Sequence, residues 1–219
     1  MDRGIFTVTV DGLWRQGTNN LAVRLVPQPG ETLPEWQPGA HIDLHLPGGI
    51  IRQYSLTGSH TRADSYLICV AQERDSRGGS RYIHQSLRPG QTLSVSSPRN
   101  VFQLQHARHV TLLAAGIGIT PLYAMALQRR AQDAPVTLHY LIKRRENAAF
   151  IQELARQLPA DSVVIHCASE GVSPRGNLAD VLRQGCLDSH HLYLCGPAGF
   201  MADGRQAALA LGWDEALIH

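Results

Sequence analysis

The stretch Leu112 to Ala126, LLAAGIGITPLYAMA, decides the fold. Its first half is a short apolar run of the kind that fills a buried parallel strand, and its second half reads as a helix. Between them lies Gly116-Ile117-Gly118-Ile119-Thr120-Pro121. The glycines allow close backbone approach, Thr120 can cap the helix and Pro121 suits its first position. The positive end of that helix would face a phosphate or a nicotinamide. An ordinary glycine-rich turn explains G-x-G equally well, because G-x-G-x-x-P lacks the third glycine of the dinucleotide fingerprint.

Downstream of His109 the pattern repeats. Compact apolar segments (VTLLAAG, VTLHYLI, SVVIHCA, HLYLCG) alternate with helical ones (PLYAMALQRRAQ, AAFIQELARQL, NLADVLRQG, FMADGRQAALALG). This predicts an α/β domain built on a parallel sheet. Upstream, short alternating stretches (IFTVTVDGLW, NLAVRLV, AHIDLHL, RQYSLTG, SYLICVAQ, QTLSVSS) are broken by Pro-Gly turns and predict an antiparallel β-barrel. One helix is expected inside it, from Ser80 to Leu87, with Tyr82, Ile83 and Leu87 on a single buried face. The composition shifts between Phe102 and Ala107, so the boundary is placed between a barrel domain at 1–104 and an α/β domain at 105–219.

Composition narrows the function. The chain has 219 residues, 43% hydrophobic, with 20 basic and 18 acidic side chains. A formal charge of +2 is too small and too scattered for a nucleic-acid footprint, so no nucleic-acid partner is expected. Apolar runs fall well short of the roughly 20 residues that span a bilayer. Met1-Asp2-Arg3 leads straight into a strand-like segment without an apolar signal core. The expectation is a cytoplasmic protein with no membrane segment. Cys69, Cys167, Cys186 and Cys195 form neither C-x-x-C nor the C-x4-C-x2-C spacing of a plant-type iron–sulfur cluster. There is no H-E-x-x-H, and His190-His191 is expected in a turn, so no metal is assigned. A serine hydrolase is likewise unsupported, since G-x-S-x-G is missing.

Three further segments carry candidate chemistry. Tyr193-Leu194-Cys195-Gly196-Pro197 ends the last strand, and ligands of open α/β sheets bind beyond the carboxyl ends of strands. Cys195 and Gly196 would then lie beside Gly116 to Thr120 if the two strands are neighbours; otherwise Cys195 is a small buried hydrophobe. Arg52-Gln53-Tyr54-Ser55 lies in a barrel strand, where alternation sends Arg52 and Tyr54 to one face and Gln53 and Ser55 to the other. An arginine suits a phosphate, a tyrosine can cover an aromatic ring, and a serine can hydrogen-bond a heterocycle nitrogen. Ser76-Arg77-Gly78-Gly79-Ser80-Arg81 opens the barrel helix, with Ser80 near its N-cap, as an anion-binding start or as a plain turn.

R-x-Y-S, G-G-S, G-I-G-I-T-P and C-G-P in this order resemble the ferredoxin–NADP reductase superfamily. RQYSL, SRGGSRYIHQSLRPG, SPRNVFQL, AAGIGITPLYAMA and YLCGPAGFM are most similar to its phthalate dioxygenase reductase and vanillate demethylase reductase group. The resemblance implies an FMN-binding barrel and an NAD-binding domain. Hydride would pass from NADH to FMN, and single electrons onward to an iron–sulfur domain or ferredoxin and a Rieske-type oxygenase component. By the same resemblance Arg52, Tyr54 and Ser55 bind the flavin, and Gly78, Gly79 and Ser80 hold the FMN phosphate. Gly116, Gly118, Thr120, Cys195 and Gly196 line the nicotinamide side, with Ser55, Thr120 and Cys195 at the reacting centre. Lys143 and Arg144, followed by Arg145, fall where the nucleotide ribose would lie and raise the prospect of NADPH use beside NADH. Members of the group continue into a C-terminal 2Fe–2S domain, so a truncated chain is expected, with the cluster in the missing part or in a separate partner. The competing class is a non-catalytic flavin- or nucleotide-binding regulator of the same fold.

Overall fold

A computed structural model describes residues 4–62, 64–73, 75–172, 178–183 and 189–219. In the N-terminal half, alternating side chains make six strands: β1 (Ile5–Arg15), β2 (Asn20–Pro27), β3 (His41–Leu46), β4 (Ile50–Ser55), β5 (Tyr66–Ala71) and β6 (Thr92–Ser96). They pair antiparallel in the order β4-β3-β6-β1-β2-β5 and curl into a nearly closed barrel. Inward-facing Val8, Val10, Val23, Leu25, Ile42, Leu44, Ile68, Val70 and Val95 fill it. Each such side chain contributes about 1.5–3 kcal/mol on burial. The β1–β2 register shifts between Val10 and Gly12, a bulge that bends the long first strand.

The barrel helix α1 spans Gly79–Gln85. It starts one residue earlier than expected, and Ser80 lies inside it rather than at the cap, because Gly78 takes a left-handed φ of 93° that turns the chain into the helix. Ile83 and Leu87 are buried in the barrel core and Tyr82 packs against it.

In the C-terminal half, β7 (His109–Ala115), β8 (Val136–Ile142), β9 (Val163–Cys167) and β10 (His190–Cys195) form a parallel sheet in the order β10-β7-β8-β9. The central strand β7 is apolar on both faces, as a sheet covered on both sides requires. Val110, Leu112 and Ala114 pack with α2 (Ile119–Ala131) and α3 (Ile151–Gln157). Leu113 and Ala115 share a second cluster with α4 (Leu178–Leu182) and α5 (Ala198–Ala210). Three local expectations are corrected. The helix read from Ala148 begins only at Ile151, because Phe150 is left-handed at φ 61°. His190 and His191 open β10 rather than form a turn, paired with His109 and Val110 of β7. Pro121 is the third residue of α2, still within the first turn where a missing N–H costs nothing. Cys186 lies outside the described residues.

The proposed boundary at 104/105 falls in the segment between β6 and β7. Among the hydrogen bonds that tie the halves together are three made by the side chains of Gln16 and Asn20, beside the Thr18 N–H to the Glu146 carbonyl at 2.8 Å. Gln16 uses its whole amide, donating to Glu153 Oε1 at 2.9 Å and accepting from Phe150 N at 2.9 Å. Asn20 Nδ2 donates to the Asn147 carbonyl at 2.8 Å. No helix among the described residues is long and apolar enough to cross a membrane.

Candidate functional site

β4 and β5 are the two end strands of the barrel sheet, and the cleft opens where they face each other. An edge strand carries backbone N–H and C=O groups without strand partners. The cleft, about 490 Å³, runs from this seam to the carboxyl edge of the parallel sheet. Arg52, Gln53, Tyr54 and Ser55 of β4 and Cys69, Val70 and Ala71 of β5 line the barrel side. All four residues of the R-x-Y-S run, from both faces of the strand, therefore border the cleft. Burial pushes the Tyr54 hydroxyl up to about 12, so the ring is neutral.

Glu73, Ser76, Arg77 and Ser80 also line the cleft. Arg52 ties this loop to β4, its guanidinium donating to the carbonyls of Ile51 and Arg77 at 2.8 Å each. Ser80 Oγ donates to Ser76 Oγ at 2.9 Å. Gly78 and Gly79 do not line the cleft. Their lack of side chains is a packing demand, since a Cβ at Gly79 would stand 2.6 Å from Arg52 Cγ and one at Gly78 2.7 Å from Ile50 Cδ1.

On the opposite side, Ala115, Gly116, Ile117, Gly118 and Thr120 meet Cys195, Gly196 and Pro197. Their juxtaposition follows from topology, because β7 and β10 are parallel neighbours with Ala114 opposite Cys195. The contact is backbone to backbone: a Cβ on Gly118 would lie 2.1 Å from the Cys195 carbonyl oxygen. Gly116, at φ +56°, faces open space. Thr120 does not cap α2. Gly118 precedes the helix, and the Thr120 hydroxyl donates back to the Ile117 carbonyl at 3.1 Å, bracing the glycine turn. The half-buried Cys195 thiol is pushed up to about 11 by burial and stays protonated at neutral pH. That makes it a small neutral group rather than a nucleophile.

Lys143 and Arg144 do not line this cleft; they follow β8, in an exposed turn. Arg145 is held by Glu170 in a two-point ion pair of 2.6 and 3.0 Å and Arg144 stands 3.5 Å from Glu146 Oε1, so two members of the expected triple cluster are engaged. Sequence reasoning missed the β5 residues and Glu73, which enter the site only through closure of the barrel. Among the described residues no group of three or more His, Cys, Asp or Glu is placed to hold a metal.

The site residues fit a flat heterocycle with a phosphate tail. Backbone edges and small apolar groups flank the middle, hydroxyls and a guanidinium stand at one end, and the glycine turn leaves room beside the other.

Residues 112–206 match the oxidoreductase NAD-binding domain family. The chain is 43% identical to a vanillate O-demethylase oxidoreductase of Pseudomonas putida, over 86% of this chain and 59% of that one. To its counterpart in Acinetobacter baylyi it is 37% identical, over 90% of this chain and 62% of that one. It therefore spans about 60% of the length of these curated relatives. The crystal structure of phthalate dioxygenase reductase, described as a modular structure for electron transfer from pyridine nucleotides to a 2Fe–2S centre, superposes with a TM-score of 0.90 at 29% identity. That match covers 99% of this chain and 67% of the other. The likeness runs through barrel and sheet alike: the chain is a homologue of the vanillate O-demethylase oxidoreductases over the part of them it spans, with the ferredoxin reductase-like fold of phthalate dioxygenase reductase.

Proposed function

We propose that this chain is an NADH-dependent flavin oxidoreductase module of an oxygenase system, taking hydride from NADH onto FMN and passing single electrons to an iron–sulfur carrier and a Rieske-type oxygenase. One observation carries the reading: a single cleft brings the barrel seam, with Arg52, Tyr54 and Ser55, against the nucleotide-binding turn, with Gly116, Gly118, Thr120, Cys195 and Gly196. A bound flavin would supply the exchange between two-electron and one-electron chemistry, and the protein supplies binding and orientation.

In this reading the half-buried Tyr54 covers the ring system and the Ser55 hydroxyl hydrogen-bonds the reacting edge of the heterocycle. Arg52, Ser76 and Ser80 hold the phosphate end, with Gly78 and Gly79 letting Arg52 and the helix start pack closely enough to form it. A phosphate held at Ser76, Arg77 and Ser80, which line the cleft, is the feature of this reading that favours FMN over FAD. Gly116 and Gly118 let the nicotinamide approach, Thr120 fixes the turn, and Cys195 with Gly196 packs beside the carbon that loses hydride.

The test is direct. Chain loaded with flavin and purified should release FMN on denaturation, and its yellow colour should bleach when NADH is added without oxygen. Release of FAD overturns the FMN assignment. Bound flavin that NADH does not bleach would support the regulator reading instead.

A further inference from the structure

The barrel carries a second cavity, of about 220 Å³, that shares no lining residue with the cleft. It lies between the segment joining β2 to β3, at Leu33 to Gln37, and the segment joining β4 to β5, at His60 to Arg62. Trp36 lines it and is only 5% exposed, with its indole set edge-on to the His60 ring at 6.2 Å between centroids. An indole N–H can only donate. Buried here, it has no hydrogen-bond partner within the protein, a state it shares among the described residues with Thr57 Oγ1 and Arg129 Nε. Folded proteins pair nearly all such groups, because a donor stripped of water and given no acceptor is costly. The other polar groups around the cavity are mostly donors as well. Arg62 makes neither an ion pair nor a side-chain hydrogen bond among the described residues. Burial holds the His60 imidazole below its usual range, so at neutral pH it is uncharged and keeps one N–H to give. The Pro34 carbonyl, an acceptor in the same wall, already takes the Tyr66 hydroxyl.

We propose that this cavity is a binding site for a small organic monocarboxylate, with the Trp36 N–H donating to one oxygen, the Arg62 guanidinium to the other, and the short apolar body lying against Leu33 and Pro34. The carboxylate supplies the acceptor that the buried indole lacks, and its bond to arginine is charge-assisted. A single negative charge suits the site better than two, because Glu35 is the one carboxylate among the lining residues and repels a second charge. The cavity is smaller than the roughly 300–1,000 Å³ that accommodates drug-sized ligands, so a nucleotide or flavin is too large for it. No cleft residue takes part, and the inference is therefore independent of the flavin and nucleotide reading.

The tryptophan itself reports the outcome. In the flavin-loaded chain labelled with a heavy nitrogen isotope, the indole N–H signals are followed by NMR as sodium propionate is added. Sodium chloride and sodium sulfate at matched ionic strength serve as controls, since all three salts screen charge alike. The Trp36 signal is identified by its loss in Trp36→Phe, or by triple-resonance assignment should that variant not fold. Propionate should move it downfield in a saturable way and leave the Trp213 signal in place, because that indole already donates to the Leu182 carbonyl. Arg62→Ala, a change at an exposed side chain, should weaken propionate about 10-fold, the size of one lost charge-assisted hydrogen bond. No saturable shift with propionate overturns the proposal. An equal shift with chloride or sulfate overturns it too, as a general anion effect, and so does an affinity for propionate that Arg62→Ala leaves unchanged.

Discussion

Ser55 is the last residue of β4, half-buried where the barrel edge meets the cleft. If its hydroxyl is the positioned donor to the reacting heterocycle, Ser55→Ala should slow reduction by NADH by about 10- to 1000-fold, the range for loss of one such donor. Stopped-flow bleaching of bound flavin measures this, and an unaltered rate removes Ser55 from the mechanism. Gly118 makes a different demand. A methyl group there would meet backbone atoms of Cys195 at 2.1 and 2.4 Å and Gly196 N at 2.7 Å, none of which can swing aside as a side chain can. Gly118→Ala should cost about 1–3 kcal/mol by forced separation of the two turns and weaken nucleotide binding, readable by denaturant unfolding and NADH titration. By contrast, a methyl on Gly116 meets nothing within 4 Å, so its requirement lies in its left-handed φ.

At the scale of elements, the parallel sheet carries an acid sensitivity set by its buried histidines. His139 of β8 and His166 of β9 share a 3.0 Å hydrogen bond between ring nitrogens, and His191 of β10 bonds His219 at 2.9 Å. Burial, with the neighbouring imidazole second, holds His139 down to about 4. Burial likewise brings His190 to about 4, with His109 and His191 adding to it. Their unfolded values lie near 6.5, so below that pH the unfolded chain takes up protons that the native sheet refuses. The stability contribution is full above pH 6.5 and is lost progressively as pH falls toward 4. Melting temperature should therefore drop over that window, and His139→Gln should flatten the drop; a wild-type profile with no fall between pH 6.5 and 4 would sink the argument. The short α3 shows a second effect of element packing. Left-handed Phe150 is tolerated because its ring is buried and its N–H is claimed by Gln16.

For the whole molecule, the geometry of the cleft depends on how the two halves are held. Gln16 is 7% exposed and both ends of its amide cross the interface. Gln16→Ala would leave the buried Phe150 N–H without this partner, at about 1–3 kcal/mol for a buried group left unsatisfied, while the part-exposed Glu153 carboxylate keeps Arg156 beside it. The expected result is a lower melting temperature together with slower hydride transfer, although Gln16 does not line the cleft; melting and transient kinetics on the same sample check it. Electron exit is the other property of the whole. The 219-residue chain should oxidise NADH with ferricyanide as acceptor, yet reduce cytochrome c poorly until an iron–sulfur carrier is added. Full-rate cytochrome c reduction without any carrier would show a direct route from the flavin.

Period and punctuation were enough to read the barrel and the parallel sheet, because strand alternation and buried apolar runs are local consequences of which faces are covered. The G-I-G-I-T-P turn and the C-G-P end were legible for the same reason: each is a contiguous segment at the end of a strand. Tertiary structure alone decided the rest. It made β7 and β10 neighbours, so that Gly118 meets Cys195, and it set β5 against β4, bringing Cys69, Val70 and Ala71 into a cleft that no sequence motif marks. It likewise paired Arg145 with Glu170, 25 residues away, a partner that the run of three cations in the sequence does not foretell. Such contacts join residues far apart in the chain, and a linear pattern carries no information about which distant partner a side chain will meet.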